Sequence, residues 1–257
     1  MSIKSVTMTN RFMILFGATL FALGFSQEAR AQWLDGKVAV RTNGNNFQSG
    51  DQLKVELLPL DLINERFYTQ VTYRFNETIE EKDEDGKVTE KQVEKKIDRQ
   101  ASPILESLKA FQMITLDDSF YFGDASPTGR YRVEVRIFQA YTNRLLATLR
   151  SCVIFQSSSE ELECDTFLRA LKTVHHEMFF SFDGKFNLKA YYSVVFLNRN
   201  KVVSYVEAGA YTDGARALHL SSDKLAGLAG QTLDILILDK YNGVSSTLSR
   251  VTIASAR

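Results

Sequence analysis

The chain has 257 residues, no net charge at neutral pH, 44% apolar residues and only three prolines. The balanced charge favours neither nucleic acid nor an acidic membrane surface as a partner. The apolar share excludes a disordered chain.

Lys4 and Arg11 precede an uncharged run from Phe12 to Phe25, and small residues at Ala29 and Ala31 make a cleavage pattern before Gln32. This predicts a bacterial-type signal peptide over 1–31. The run is too short for a membrane anchor, which needs about 20 apolar residues, and no later segment is long and apolar enough to span. The mature chain then holds 28 basic and 30 acidic residues, a net charge of −2, in a length that suits one large or two small domains.

Period-two alternation dominates the chain beyond Gln32. "KVAVRT" sets Val38 and Val40 against Lys37 and Arg41, and "DQLKVELLPL" sets Leu53, Val55 and Leu57 on one side. "FYTQVTYRF" and "RYRVEVRIF" repeat the pattern, the latter with Tyr131, Val133, Val135 and Ile137 on one face. Turn chemistry such as "NGNN", "SGD" and "SPTG" bounds the runs. Two short helices are expected: one over "SPILESLKAF", with Ser102 as cap and Pro103 in the first turn, and one over "DTFLRALKTV", capped by Asp165.

The stretch from Glu77 to Arg99 carries nine acidic and six basic residues but only four aliphatics. Read from Glu81, it partly matches a calcium loop, with Asp83, Asp85, Gly86 and Val88 in place. Glu81 fits the first position poorly, and Gln92 cannot supply the bidentate twelfth ligand. A charged hairpin turning at Asp85-Gly86 explains more of the pattern; a solvated helix over 90–99 is the other alternative.

The segment "GRYRVEVRIFQAYTNRLLATLRSCVIF" from Gly129 is echoed by "GQTLDILILDKYNGVSSTLSRVTIA" from Gly230. Each holds a strand, a turn near a tyrosine and a second strand. In "SPTGRY", Tyr131 stands where a tyrosine corner places its ring, with the hydroxyl bonded to backbone. "PTGRYRVEVRIF" resembles the closing hairpin of immunoglobulin-like and fibronectin-type modules of secreted bacterial proteins. The resemblance covers about 30 residues and implies fold alone. The expected architecture is all-β: two tandem antiparallel β-sandwich domains, over 32–155 with the charged hairpin inserted at 77–99, and over 166–257, joined by a linker at 156–165.

Cys152 and Cys164 both lie in the exported part, and an even count in an oxidising compartment predicts a bond between them. Closing that loop is worth roughly 3 kcal/mol. Neither cysteine sits in a CxxC pair. His175 and His176 are adjacent and point to opposite faces of a strand; His219 is the only other histidine, so a zinc site lacks ligands. Asp117 and Asp118 are likewise sent to opposite faces. There is no GxSxG, Walker or dinucleotide glycine pattern. "MFFSFDGKFNLKAYYSVVF" concentrates aromatics, and the consecutive pairs Phe179/Phe180 and Tyr191/Tyr192 each put one ring on the outer face of a strand or into an interface. No catalytic residue, metal ligand or cofactor site is expected. These readings converge on a non-catalytic binding or assembly protein of the cell envelope, secreted or periplasmic, with a protein or glycan partner. An envelope-polymer hydrolase with an unrecognised site, or a carbohydrate-binding module, is the alternative.

Overall fold

The computed structural model describes residues 34, 36–82, 87–156, 168–174, 177–182, 192–208, 217–220, 222–240 and 243–253. The predicted signal peptide therefore lies outside the described residues. Residues 33–257 form one compact unit.

The unit's described residues are mostly strand. Its first half carries β1 (Val38–Thr42), β2 (Asn46–Phe47), β3 (Gln52–Pro59), β4 (Phe67–Lys82), β5 (Val88–Asp98), β6 (Ile114–Tyr121), β7 (Gly129–Gln139) and β8 (Leu145–Phe155). Its second half carries β9 (Leu168–Val174), β10 (Glu177–Phe182), β11 (Tyr192–Asn198), β12 (Lys201–Ala208), β13 (Ala217–Leu220), β14 (Thr232–Asp239) and β15 (Val244–Thr252). The helical elements among the described residues are α1 (Ser222–Leu225) and a 3₁₀ turn over Ala226–Leu228.

These strands make a three-stranded sheet β1-β3-β6, a second three-stranded sheet β13-β10-β9, and a nine-stranded sheet ordered β12-β11-β14-β15-β8-β7-β4-β5, with β2 beside β8. The two halves of the large sheet correspond strand for strand: β5-β4-β7-β8 matches β12-β11-β14-β15, and β1-β3-β6 matches β9-β10-β13. The echoed segments are the hairpins β7–β8 and β14–β15, both antiparallel.

Alternation places the first core. Tyr131, Val133, Val135 and Ile137 of β7 are fully buried and meet Val38, Val40, Leu53, Val55 and Leu57 from the facing sheet. Aromatic rings fill the end of this core: Phe122 stacks on Phe155 at 4.6 Å and meets the Tyr131 ring edge-on at 5.0 Å. Aromatic pairs in such geometries add to simple burial. Gly129 opens β7 at φ 129°, a backbone conformation that side-chain-bearing residues rarely adopt. The Tyr131 hydroxyl donates to the Pro127 carbonyl at 2.8 Å, which is the corner bond its position predicts. Tyr131→Phe keeps the ring and loses this bond, so it is expected to lower unfolding free energy by about 1 kcal/mol in urea titration.

The second half has its own core, with Val194, Phe196, Ile235 and Ile237 packed against Leu220, Leu225 and Leu228. The opposite faces of β11 and β14 are buried as well. Val195, Leu197, Leu236 and Leu238 pack with Ala39 and Leu58 from the outer face of β1 and β3, and with Leu60 just past β3. Burial on both faces explains why "VVFL" and "ILIL" read as unbroken apolar runs rather than as alternation.

This second layer also corrects the reading of "KVAVRT". Arg41, assigned to the wet face by alternation, is only 6% exposed. Its guanidinium donates to Glu56 at 3.2 Å, to Asp234 at 2.8 Å and to Asn200 at 3.0 Å, tying the two halves together. A second tie runs through Gly243, whose carbonyl accepts from Arg150 N at 2.8 Å where β15 meets β8. A Cβ at Gly243 would stand 2.6 Å from the Thr148 carbonyl oxygen, at φ +63°. Gly243→Ala is therefore expected to cost about 2 kcal/mol by thermal melting, from left-handed strain plus the clash.

Neither expected short helix is present among the described residues. Over "SPILESLKAF", Leu105 and Leu108 instead exchange paired backbone hydrogen bonds with Phe67 and Ile63, and Ser102 N donates to Thr69 O. The segment runs beside the start of β4 as an extended strap, because open backbone partners there compete with a short isolated helix. Residues 168–174 of "DTFLRALKTV" are strand β9, paired with β10 from Glu177↔Val174 to Phe182↔Leu168. Apolar spacing in so short a run does not separate helix from strand.

Candidate functional site

The most prominent feature is the extension of β4. Its pairing with β7 stops at Phe75↔Tyr131, while its pairing with β5 continues to Lys82↔Val88. Asn76–Lys82 and their β5 partners therefore project as a two-stranded ribbon beyond the end of β7. The tip, Asp83 to Gly86, lies outside the described residues. The flanks are strands, not the helices that a calcium loop of the EF-hand type requires. Gln92, at the twelfth position of that alternative, donates instead to Thr78 Oγ1 at 2.6 Å.

Alternation gives the ribbon two charged faces. On one, Lys95 meets Glu77 and Lys91 meets Glu81, each at 3.4 Å. On the other, Glu94 lies between Arg74 at 3.5 Å and Arg132 at 3.7 Å. This second face continues onto the outer surface of β7, where Glu134 holds Arg136 at 2.7 Å and faces Arg150 at 3.6 Å. A polar groove of about 790 Å³ runs at the step where β7 ends, walled by Asn76, Thr78, Gln92 and the Pro127–Arg130 turn. Most of these charges are close to half exposed, and such ion pairs contribute about 0–1 kcal/mol each.

The sequence-predicted residues are dispersed. Cys152 is buried on β8, paired in register with Arg132; Cys164 lies outside the described residues. Tyr191, His175 and His176 also lie outside them. For Phe179, Phe180 and His219 the backbone is described, and it places Phe179 opposite His219 between β10 and β13. Tyr192 is buried in the core of the second half with Val194 and Phe196, not in the cluster that joins the halves. Burial pushes its hydroxyl pKa up, and nearby Asp239 pushes it further. Among the described residues, no group of three or more His, Cys, Asp or Glu side chains could hold a metal ion, and no helix is long and apolar enough to cross a membrane.

Fold and surface together define a β-rich, multi-sheet protein with a projecting charged ribbon. No protein family profile matches the chain, and no curated protein does either. Among solved structures, it is similar to Salmonella alpha-2-macroglobulin reacted with methylamine at 10% identity, with a TM-score of 0.29 over 86% of this chain and 15% of that one. The native Escherichia coli alpha-2-macroglobulin gives 12% identity and a TM-score of 0.26 over 81% of this chain and 14% of that one. The sporulation control protein Spo0M of Bacillus subtilis gives 10% identity and a TM-score of 0.28, covering 82% of this chain and 83% of that one. This chain thus spans about a seventh of the macroglobulins it matches. Likeness at this level is a weak resemblance among β-rich folds and says nothing about activity.

Proposed function

We propose that this protein is an exported, non-catalytic binding or assembly component of the cell envelope that engages a protein partner through the β4–β5 ribbon. The observation that carries the reading is the ribbon itself. It projects past its supporting sheet, buries almost no apolar surface, and is held by exposed ion pairs that add little to stability. Its length and charge are therefore better accounted for by contact than by folding.

The scaffold fits this role as two tandem immunoglobulin-like sandwiches. The matched strand orders of the two halves and the Tyr131 corner support that reading. The signal-like N-terminus supports export, and export favours a Cys152–Cys164 bond. Alkylation of unreduced protein followed by mass measurement is expected to leave both cysteines unmodified. Quantitative labelling of both would remove the oxidising-compartment argument.

The ribbon is tested by replacing residues 78–92 with an Asn-Gly turn in the full chain. The variant should keep the melting temperature of the parent. Cross-linking in intact envelopes should capture a partner with the parent chain, and the yield should fall with added salt, since exposed charges are screened over about 8 Å at physiological ionic strength. Equal capture by the ribbon-less variant would overturn the proposal.

A further inference from the structure

The ribbon leaves one strand edge open. The register of β4 is unbroken, so its backbone groups alternate between its two neighbours along its whole length. At odd-numbered positions they turn toward the β5 side: Phe67 exchanges both bonds with Leu105, and the Val71 carbonyl accepts from Arg99 N at 2.9 Å. At even-numbered positions they turn toward β7, as the Arg66 carbonyl does in accepting from Ala140 N at 2.8 Å. Strand β7 begins at Gly129, and its pairing with β4 goes no further than Tyr131↔Phe75. Asn76, Thr78, Glu80 and Lys82 therefore present their N–H and C=O groups to a lane that no strand among the described residues fills.

That lane opens from the groove at the end of β7, where Asn76 and Thr78 face Pro127, Thr128 and Gly129. The chain leaves the sheet here. Gly129 has φ 129°, and the Pro127 carbonyl is bonded to the hydroxyl of Tyr131, whose ring is on the core face. The line of β7 thus continues beside β4 as open groove, wide enough for an extended chain.

An open edge accepts a strand through its backbone, and the side chains beside it choose which one. Glu80 and Glu90 stand directly opposite each other across the ribbon, and neither makes an ion pair among the described residues. Like charges in that position destabilise a strand pair, so a cation in the lane beside Glu80 relieves them. A second copy of the same edge would bring Glu77, Glu80 and Glu81 against their own kind. Strand β5 also has an open outer edge, but it carries Lys91, Lys95 and Lys96, and lysines protect an edge against pairing. At the inner end of the groove Arg74, Arg130 and Arg132 disfavour a cation.

We infer that the β4 edge from Asn76 to Lys82 takes up an extended segment of a partner protein as an additional antiparallel strand, with a Lys or Arg beside Glu80 and uncharged residues beside Thr78 and Asn76. This rests on the reading of the ribbon as the contact arm and names the pairing through which the arm acts.

The probe is the peptide acetyl-Thr-Lys-Val-Thr-Val-Thr-amide, titrated at low salt into the uniformly ¹⁵N-labelled full mature chain. Saturable amide shifts are expected over residues 76–82 and 127–130. Hydrogen exchange should slow at Asn76, Thr78, Glu80 and Lys82, while Glu77, Ile79 and Glu81, already bonded to β5, keep their rates. Glutamate in place of the peptide's lysine should weaken binding several-fold, and Glu80→Lys in the protein should reverse that preference. N-methylation of the peptide's lysine and second threonine removes donors aimed at β4 and should abolish binding. Unaltered exchange at the odd-numbered residues confirms that the variant ribbon is formed. No saturable shift at millimolar peptide, equal binding of the lysine and glutamate peptides, or unchanged binding after N-methylation would each overturn the inference. So would shifts over 76–82 on concentrating the chain alone, which would assign the edge to a second copy. The ribbon reading is judged separately by cross-linking: capture lost in the ribbon-less variant, with no peptide bound by the parent, leaves the ribbon as the contact arm and overturns strand addition alone.

Discussion

Arg41→Ala is expected to lower the free energy of unfolding by about 3–5 kcal/mol, the range for removing one partner from a buried ion pair. Arg41 and Glu56 are 6% and 7% exposed, and the Asp234 carboxylate is mostly covered. With the guanidinium gone, two carboxylates remain in a partly desolvated layer with no cation between them. Glu56 keeps only a 3.4 Å contact from Thr115 Oγ1, and Asp234 keeps the Arg250 amide. The loss should be recovered largely in the triple variant Arg41→Met, Glu56→Gln, Asp234→Asn, which removes all three charges. Urea titrations of the parent and both variants decide it. A loss below about 1 kcal/mol for Arg41→Ala would mean that water reaches the cluster and that it behaves as a surface pair.

Leu236→Ala is expected to cost about 2–5 kcal/mol, the range for a buried leucine whose cavity does not collapse. Its neighbour Ile237 on the same strand provides the comparison, because the two side chains point to opposite faces of β14. Leu236 packs with Leu58, Leu60 and Val195 between the halves, while Ile237 lies in the core of the second half. Both are fully buried. Ile237→Ala should cost a similar amount, but with a different signature. In calorimetry, Leu236→Ala should split one transition into two as the halves uncouple, whereas Ile237→Ala, with the seam intact, should lower the single transition. If Leu236→Ala also melts in a single transition, the two halves share one cooperative unit and the Leu236 cluster is not a separable seam.

These two variants probe the joint that fixes how rigidly the ribbon is carried. The ribbon belongs to the first half, and the seam holds that half against the second through Arg41 and the Leu236 cluster. A partner contacting both halves would sense either mutation, while a partner contacting the ribbon alone would not. The cross-linking measurement on the Leu236→Ala variant therefore separates these two modes of engagement.

Much of the strand pattern was legible in the chain itself. Alternation is a local property of the pleated backbone, so Tyr131, Val133, Val135 and Ile137 announce both a strand and its buried face. The corner bond of Tyr131 to Pro127 spans four residues and could be read from "SPTGRY". The excess of charge over aliphatics between Glu77 and Arg99 marked a segment unable to enter a core. Where alternation competes with a second covering layer, it misleads. Arg41 looked solvent-facing because its neighbours in sequence do not reveal Asp234, which lies 193 positions away. The helix expected over "SPILESLKAF" failed for the same reason: the backbone partners of Leu105 and Leu108 are Phe67 and Ile63, which local propensity does not contain.

The candidate sites divide in the same way. The sequence by itself determined that the stretch from Glu77 to Arg99 would be a polar projection, because four aliphatics cannot offset the entropy lost in ordering a buried segment. It also pointed to the hairpins β7–β8 and β14–β15, through turn chemistry and period-two alternation. Only the tertiary structure decided that Arg99, just past β5, pairs with Asp118 on β6 and lies over the ring of Tyr73. Only it decided that Tyr192 fills a core rather than an interface. The physical reason is that a residue's own type sets what it can bond, whereas its partners and its burial are set by layers of chain folded over it from far along the sequence.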